Sequence, residues 1–566
     1  MQESELCELD APHAVKSIPR GPGNVLVLSL LFSVTFMLAF PPFNIWPLIM
    51  IAPAMLVLAS LRAARWYSLV LCLGGSQLLM WLWIQSWVRE VSEFGWPLIS
   101  IHLSLWPVLL GLVFRRLCSD RWCASVPLAI LVPLGFIAMD YIRGTIIFNG
   151  YAWYLMGQPM IEWLPLAQVA DLGGQELAAL VPASIGGVLA EYALDRSAGH
   201  RRFPRGGLIT GMIVVLVVGY GLLRIRPLDF GTPGPRTLLV QTNLPASNKV
   251  AWTAEQQLRD ADRFAQQTLT ALKASREEGI EPDLIVWPET MLPGVGLEEE
   301  SVQAMSAWGS EFGRHFRTFA SQLRELGEVP LLLGSTGYLG LGAGEDGGLT
   351  FDARFNSVYL VDRALPDSRY DKVHLTPFGE RMPIISDFPW LEEALLSIGA
   401  NGMSFDLEEG TSTDPLELTF DQSEREVAVR FGTPVCFEDT VAGVCRNMVW
   451  DGIRKDALLL INLSNDGWFG TSIMGRRMHL QASRFRAIEN RVDLLRCVNT
   501  GFSAWIDSSG RIRAEAPPLT EASILAQPSL NSGWTVFAAI GQWPSVIVTM
   551  IFMAMFVLSM FHPSSS

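Results

Sequence analysis

The chain has 566 residues, half of them apolar and only 17% charged, with a formal net charge of −14. That length exceeds one ordinary domain, and so acidic a balance argues against nucleic-acid binding, which selects for a basic face. Few charges together with 19 tryptophans fit a protein that faces lipid over part of its surface.

The first 24 residues are acidic and polar. They lack the basic-then-apolar layout of a cleavable signal and are read as a cytoplasmic tail. Seven apolar stretches follow, at Val25–Phe40, Trp46–Leu61, Tyr67–Val88, Trp96–Phe114, Cys123–Ile142, Gly173–Leu194 and Gly207–Leu223. Spanning helices need about 17 to 25 such residues; the first two stretches are short and meet at Pro41-Pro42. With the N-terminus inside, cytoplasmic segments hold Lys16, Arg20, Arg62, Arg65, Arg115, Arg116, Arg121, Arg196, Arg201, Arg202 and Arg205. Outside loops hold only Arg89 and Arg143, with Arg224 and Arg226 at the outer end of the seventh helix. This is the positive-inside bias, so residues 25–225 are expected to be a membrane domain that leaves the following residues outside. Phe148–Tyr154 and Trp163 are candidates for an aromatic platform at the outer interface.

From 235 to 532 charges occur throughout, and apolar runs of strand length recur at Leu238–Gln241, Leu284–Trp287, Pro330–Ser335, Ser357–Val361, Val427–Val435 and Leu458–Ser464. Helical patterns such as Ala254–Glu278 and Arg476–Asp493 fall between them. Alternating strands and helices predict an α/β layered domain. A last apolar segment, Val536–Met560, predicts an eighth crossing, placed at 535–560, that tethers this domain at both ends.

Three places in the domain share one arrangement, a core strand that runs out into a reactive residue. In Leu284-Ile285-Val286-Trp287-Pro288-Glu289 the proline ends the ladder by removing an N–H donor, leaving Glu289 at a strand end where functional residues collect. In Tyr370-Asp371-Lys372-Val373-His374 a lysine among aromatic and apolar neighbours can be desolvated into a fixed positive charge beside an oxyanion. In Val429-Arg430-Phe431-Gly432-Thr433-Pro434-Val435-Cys436-Phe437-Glu438 a strand leads into Cys436, and a helix-like stretch, Thr440–Trp450, follows. A helix N-terminal field there favours thiolate. Taken singly, Glu289 reads as well as a loop carboxylate, Lys372 as a surface lysine and Cys436 as a buried structural thiol. The remaining cysteines, Cys7, Cys72, Cys118, Cys123, Cys445 and Cys497, are scattered without a CxxC pair, so no zinc site, disulfide framework or other cofactor is expected.

Taken together the segments resemble the nitrilase, or carbon–nitrogen hydrolase, superfamily, with a Glu-Lys-Cys triad in this chain order. Within it the chain is similar to the apolipoprotein N-acyltransferase family of bacterial inner membranes. The matches are Asn243-Leu244-Pro245 with Lys249 and Trp252, Trp287-Pro288-Glu289, Lys372-Val373-His374-Leu375-Thr376-Pro377-Phe378-Gly379-Glu380, Cys436-Phe437-Glu438 and Ser464-Asn465-Asp466-Gly467-Trp468-Phe469-Gly470. The resemblance implies a polytopic α-helical membrane domain and an αββα sandwich at 235–532 on the periplasmic side. It implies Glu289 as general base, Lys372 as oxyanion partner with the Phe437 N–H, and Cys436 as acyl-thioester. Glu380 and Glu438 become charge partners around Lys372, and Trp252 a loop residue over the site. Phe437 departs from the family's frequent tyrosine, which puts any role for that hydroxyl in doubt. The implied donor is a phospholipid, the acceptor a diacylglyceryl-modified prolipoprotein, and the protein a monomer.

Three other readings stand beside this one. A membrane-anchored amidase would use the same triad but pass the acyl group to water. A transporter would place charges along a pathway, for which Asp140 and Glu176 are the candidates. A cysteine-histidine dyad would recruit His374 or His479.

Overall fold

The computed structural model describes residues 22–120, 122–197, 206–225, 231–245, 252–344, 348–383, 385, 386, 388, 390, 406–422 and 425–561. The N-terminal tail up to residue 21, Lys249 and the arginines at 121, 201, 202, 205 and 226 lie outside them. Contacts divide the chain into two compact units, one from 1–86, 94–223 and 542–566, the other from 87–93 and 224–541.

The first unit is helical. It comprises α1 (Pro22–Ala39), α2 (Ala52–Arg62), α3 (Trp66–Ile84), α4 (Gly95–Ser119), α5 (Leu128–Tyr141), α6 (Leu180–Ser197), α7 (Gly206–Ile225) and a C-terminal helix, Trp543–Phe561. Among the described residues six segments are long and apolar enough to cross a membrane: Trp66–Ile84, Gly95–Ser119, Leu128–Asn149, Gln175–Ser197, Gly206–Ile225 and Trp543–Phe561. The chain is thus a multi-pass membrane protein. The first two predicted segments are helical but shorter. Trp46–Leu61 is not one helix: a 3₁₀ turn, Trp46–Met50, precedes α2, and each piece carries a proline in its first turn, where the missing N–H costs nothing. The last predicted crossing likewise starts later, at Trp543, after a separate turn of helix at Val536–Ile540. Leu208, Val215, Met550 and Phe561 stand exposed on α7 and the C-terminal helix, as lipid-facing positions require.

Buried polar groups in this unit brace its loops. Arg143 donates to the carbonyls of Trp153 and Tyr154 at 3.0 and 2.9 Å, and Asp140 accepts from the Met156 N–H at 2.7 Å. Glu176 accepts from Gln542 at 2.9 Å. The expected aromatic platform is therefore reduced: Phe148 and Trp163 are exposed, whereas Ala152, Trp153 and Tyr154 are buried.

The second unit contains two six-stranded sheets among its described residues. Its strands are β1 (Thr237–Gln241), β2 (Leu284–Val286), β3 (Leu331–Leu339), β4 (Ala353–Val361), β5 (Ser368–Asp371), β6 (Leu416–Gln422), β7 (Arg425–Gly432), β8 (Leu459–Ser464), β9 (Asp493–Val498), β10 (Ala504–Ile506), β11 (Ile512–Glu515) and β12 (Ala522–Ala526). The first sheet has the order β12-β1-β2-β3-β4-β5 and the second β11-β10-β9-β8-β7-β6. In each, the middle strands β1-β2-β3 or β7-β8-β9 run parallel and the flanking pairs antiparallel.

Strand alternation decides the layering. Leu239, Leu284, Val286, Leu332, Val358 and Leu360 share one core with Leu418, Phe420, Val429, Phe431, Leu459 and Leu494 of the other sheet. Their alternate neighbours Leu238, Val240, Ile285, Leu331, Leu333 and Tyr359 pack instead with Phe264 and Leu272 of α8 (Ala254–Glu277) and Phe316 and Leu323 of α9 (Phe312–Gly327). Beyond the second sheet lie α10 (Ala442–Val449) and α11 (Ile473–Asn490), so the unit is an αββα sandwich. Residues 87–93, which separate α3 from α4 in sequence, cluster with this unit. The Trp87 ring meets Phe469 edge-on at 4.7 Å, and a Cβ built on Gly470 would stand 2.9 Å from Glu90.

Candidate active site

Glu289, Lys372 and Cys436 each follow a strand whose apolar run fixes where the chain emerges. Glu289 stands three residues past β2, and its loop lies directly on β3. A Cβ on Gly334 would come within 2.5 Å of the Pro288 carbonyl and 2.6 Å of the Thr290 nitrogen, so only glycine admits the approach. The Leu292 N–H donates to the Gly334 carbonyl at 3.0 Å and locks the loop there. Lys372 follows β5; its N–H donates to the Asn356 carbonyl of β4 at 2.9 Å, and its own carbonyl accepts from Gly410 at 2.8 Å.

Cys436 opens a short 3₁₀ turn, Cys436–Thr440, after β7. Its φ is +52°, a left-handed conformation that costs a non-glycine residue of order 1–3 kcal/mol. The Asn462 amide from β8 secures the turn, donating to the carbonyls of Pro434 and Cys436 at 2.9 and 3.2 Å. The helix expected over Thr440–Trp450 is α10, which starts only at Ala442, one turn after the nucleophile candidate. Cys436 is therefore not at the N-terminus of α10, which begins six residues later.

The three groups meet closely enough to act on one another. Lys372 is fully buried and Glu289 nearly so, while Cys436 keeps some surface. Lys372 Nζ donates to Glu380 Oε2 at 2.6 Å and Thr376 Oγ1 at 3.3 Å. Burial opposes its charge, but Glu380, Cys436, Glu289 and Glu438 outweigh that and hold the ammonium above the ordinary lysine range. Burial works against the Glu380 carboxylate too; Lys372 and the Thr376 N–H and hydroxyl overcome it and keep its pKa low. At Cys436 burial and the Glu289 carboxylate push the thiol well up, Lys372 pulls it down, and Glu380 and Asp466 add to the rise. Burial and the neighbouring carboxylates thus favour the neutral thiol, and Lys372 favours the thiolate.

Glu289 Oε1 accepts from the Asn356 amide at 2.7 Å, and the same nitrogen donates to Glu380 Oε1 at 3.2 Å. Glu289 Oε2 is buried without a partner. One carboxylate oxygen is therefore tethered and the other available for a proton.

Of the two supporting carboxylates, Glu380 pairs directly with Lys372. Glu438 instead accepts from the N–H groups of Val373, His374 and Val435 at 2.8, 2.9 and 2.7 Å and from the Tyr370 hydroxyl at 3.0 Å. It ties the lysine segment to the cysteine turn. Burial pushes its pKa up to about 7, against Lys372 and these donors. Phe437 is buried and stacks on His374 with ring centres 6.2 Å apart; burial and Lys372 lower the His374 pKa. Trp252 stands with α8: its indole donates to Asp260 at 2.8 Å and its carbonyl accepts from Gln257 at 2.8 Å.

Sequence reasoning missed Asn356, Thr376 and Tyr370 as partners. Asn356 had a signal: it interrupts the face of β4 that continues through Val358 and Leu360, where a polar residue needs a buried partner. Among the described residues no group of three His, Cys, Asp or Glu is arranged to hold a metal ion.

The model of the apolipoprotein N-acyltransferase N-terminal domain matches residues 32–188, and that of the carbon–nitrogen hydrolases matches residues 239–533. The chain is 26% identical over 537 residues to an apolipoprotein N-acyltransferase of Geobacter metallireducens, covering 92% of each chain. To that of Vibrio cholerae it is 27% identical over 534 residues, covering 90% of this chain and 92% of the other. A carbon–nitrogen hydrolase crystal structure from Helicobacter pylori superposes with a TM-score of 0.35 at 16% identity, covering 57% of this chain and 98% of that one.

Proposed function

Because the chain belongs to the carbon–nitrogen hydrolase family, we propose that it is an N-acyltransferase that moves an acyl chain from a phospholipid to the N-terminal diacylglyceryl-cysteine of a bacterial prolipoprotein. Relatives aligned over nine-tenths of the chain bear the name apolipoprotein N-acyltransferase, and the membrane helices give a lipid substrate a reason to be at hand. The observation that carries the chemistry is the half-buried thiol of Cys436 held at a strained turn beside a buried ammonium and a carboxylate with one unbonded oxygen.

Glu289 Oε2 takes the thiol proton as Cys436 Sγ attacks the phospholipid ester carbonyl. The oxyanion that forms is stabilised by Lys372 and the Phe437 N–H. Collapse breaks the ester C–O bond, Glu289 returns the proton to the departing alkoxide, and lysophospholipid leaves a thioester on Cys436. The lipoprotein α-amine then attacks the thioester carbonyl; Glu289 accepts its proton, the C–S bond breaks, and the thiolate recovers that proton. An α-amine titrates near 7.7–8.0, against about 10.4 for a lysine side chain, so the N-terminus is the nucleophile available at neutral pH. Glu380 and Asn356 hold the two charged partners in place, and Glu438 holds the turn. The site would work at the periplasmic face of the inner membrane.

The test is mass spectrometry of the purified full chain after incubation with one defined phospholipid. An acyl adduct is expected on Cys436, discharged on adding a diacylglyceryl-cysteine peptide with appearance of the N-acyl product. Discharge to free fatty acid with the peptide left unmodified would show an amidase-like hydrolase instead, and no adduct at all would end the proposal.

A further inference from the structure

Beneath the nucleophile lies a charge cluster to which none of these steps gives a part. His479, on α11, is 2% exposed. Its Nε2 stands 2.9 Å from Asp439 Oδ1 and its Nδ1 3.0 Å from Asp466 Oδ1. A neutral imidazole has one N–H and one acceptor nitrogen; only the doubly protonated ring can donate to two carboxylates at once. Asp439 Oδ2 also accepts from Arg496 Nε of β9 at 2.8 Å. Two buried carboxylates are thus matched by one guanidinium and one imidazolium, and Arg476 adds a further positive field at Asp466. Burial opposes the charge on His479, yet Asp439 and Asp466 prevail over it and over Arg496, taking its pKa up to about 9.

The position of the cluster ties it to the reaction. Asp439 belongs to the turn that begins with Cys436. Asp466 opens the turn after β8, and its charge is one of those that raise the Cys436 thiol, with Glu289 and Glu380 on the same side and Lys372 opposed. With both ring nitrogens occupied, His479 has no lone pair for the thiol, which removes it as the base of a cysteine-histidine dyad.

We propose that His479 is a positioning residue for the chemistry at Cys436: clamped as an imidazolium between Asp439 and Asp466, it fixes the turn after the nucleophile and cancels carboxylate charge that would otherwise suppress ionisation of the sulfur. This rests on Cys436 being the nucleophile. Without His479, Asp466 keeps only the weaker fields of Arg496 and Arg476 and loses the cation bonded to its Oδ1, so more of its negative charge falls on the thiol.

The measurement is the rate of Cys436 alkylation by iodoacetamide at pH 8 in the full chain in detergent micelles, scored at that cysteine by peptide mass mapping. For His479→Gln the rate is expected to fall about 3- to 10-fold, the size produced by roughly one pKa unit with partial compensation from nucleophilicity. Asp466→Asn should raise it by a similar factor, and the His479→Gln/Asp466→Asn pair should return it towards wild type. A residue that merely held the fold would do the opposite on removal, because loosening exposes the thiol and speeds alkylation. A folded His479→Gln protein with an unchanged or faster rate overturns the proposal. If that variant does not fold, an unchanged rate in Asp466→Asn overturns it just as well. Alkylation needs no lipid, so failure of acyl transfer in the wild type would strike the proposed reaction and leave this result readable.

Discussion

The Lys372 ammonium lies 2.6 Å from Glu380 Oε2, with the lysine wholly shut off from solvent and the glutamate side chain 14% exposed. A pair so enclosed is costly to break from one side, since the remaining charge keeps its desolvation penalty and loses its partner.

Lys372→Met should therefore fail twice. Stability should drop by about 3–5 kcal/mol, and acyl-enzyme formation in the protein that remains folded should fall at least ~100-fold, the loss expected for an oxyanion partner. Lys372→Met/Glu380→Gln should recover much of the stability and none of the rate. Thermal unfolding and rapid-quench mass spectrometry give the two readouts.

Glu289→Gln keeps a group able to accept from Asn356 but cannot take a proton. Acyl-enzyme formation is expected to fall ~10²–10⁴-fold with thermal stability little changed. A rate within threefold of wild type would remove Glu289 as the base.

Asn356 spans two carboxylates through one amide nitrogen. Asn356→Ala removes hydrogen bonds to charged acceptors, worth about 1.5–3 kcal/mol each at most. Asn356→Asp sets a third carboxylate between the other two and should be the worse variant in both stability and acyl-enzyme rate. Equal effects of the two substitutions would show that charge is not what Asn356 manages.

Two glycines give a contrast in stability. Gly334→Ala must push apart the Glu289 loop and β3, and overpacking of this kind costs about 1–3 kcal/mol, with lost activity because Glu289 moves. Gly443 sits in α10 with nothing within 4 Å of a built Cβ, so Gly443→Ala should stabilise by about 0.5–1 kcal/mol. Denaturant midpoints of the two variants test both signs.

The pH dependence of folding follows from His479. Its folded pKa, up to about 9, lies above the ordinary 6.5, so the folded state holds the proton more tightly than the unfolded one. The stability this confers is fully present below about pH 6.5 and is lost as pH rises through 9. His479→Gln should flatten the decline of unfolding free energy between pH 7 and 10.

Much of this was legible because strands buried on both faces are continuous apolar runs. Leu284–Val286 and Leu459–Ser464 announced themselves, and residues just past such runs were the natural places to look. The short flanking strands β5, β10 and β11 were not legible: segments such as Ser368–Asp371 and Ile512–Glu515 are polar and half-exposed, and only their neighbours make them strands. Helix α11 was found, with His479 singled out only as a possible partner of the thiol, but the burial of Arg476, His479, Arg486 and Glu489 was not legible. Arg486 and Glu489 pair with each other at i,i+3, but the partners of His479, Asp439 and Asp466, come from turns outside the helix, a pairing no local pattern encodes. The first two apolar stretches were located, while the division of the second into a 3₁₀ turn and α2, each opening with a proline, depended on turn geometry.

The grouping of residues 87–93 with the sandwich bears on any attempt to produce the carbon–nitrogen hydrolase half as a water-soluble fragment. A piece starting near residue 231 would begin well after Trp87, leaving bare the Phe469 ring that it covers, one helix-facing step from His479 at 6.3 Å. Such a fragment should be sticky and poorly reactive, and grafting the 87–93 peptide back through a linker is the repair that the fold suggests.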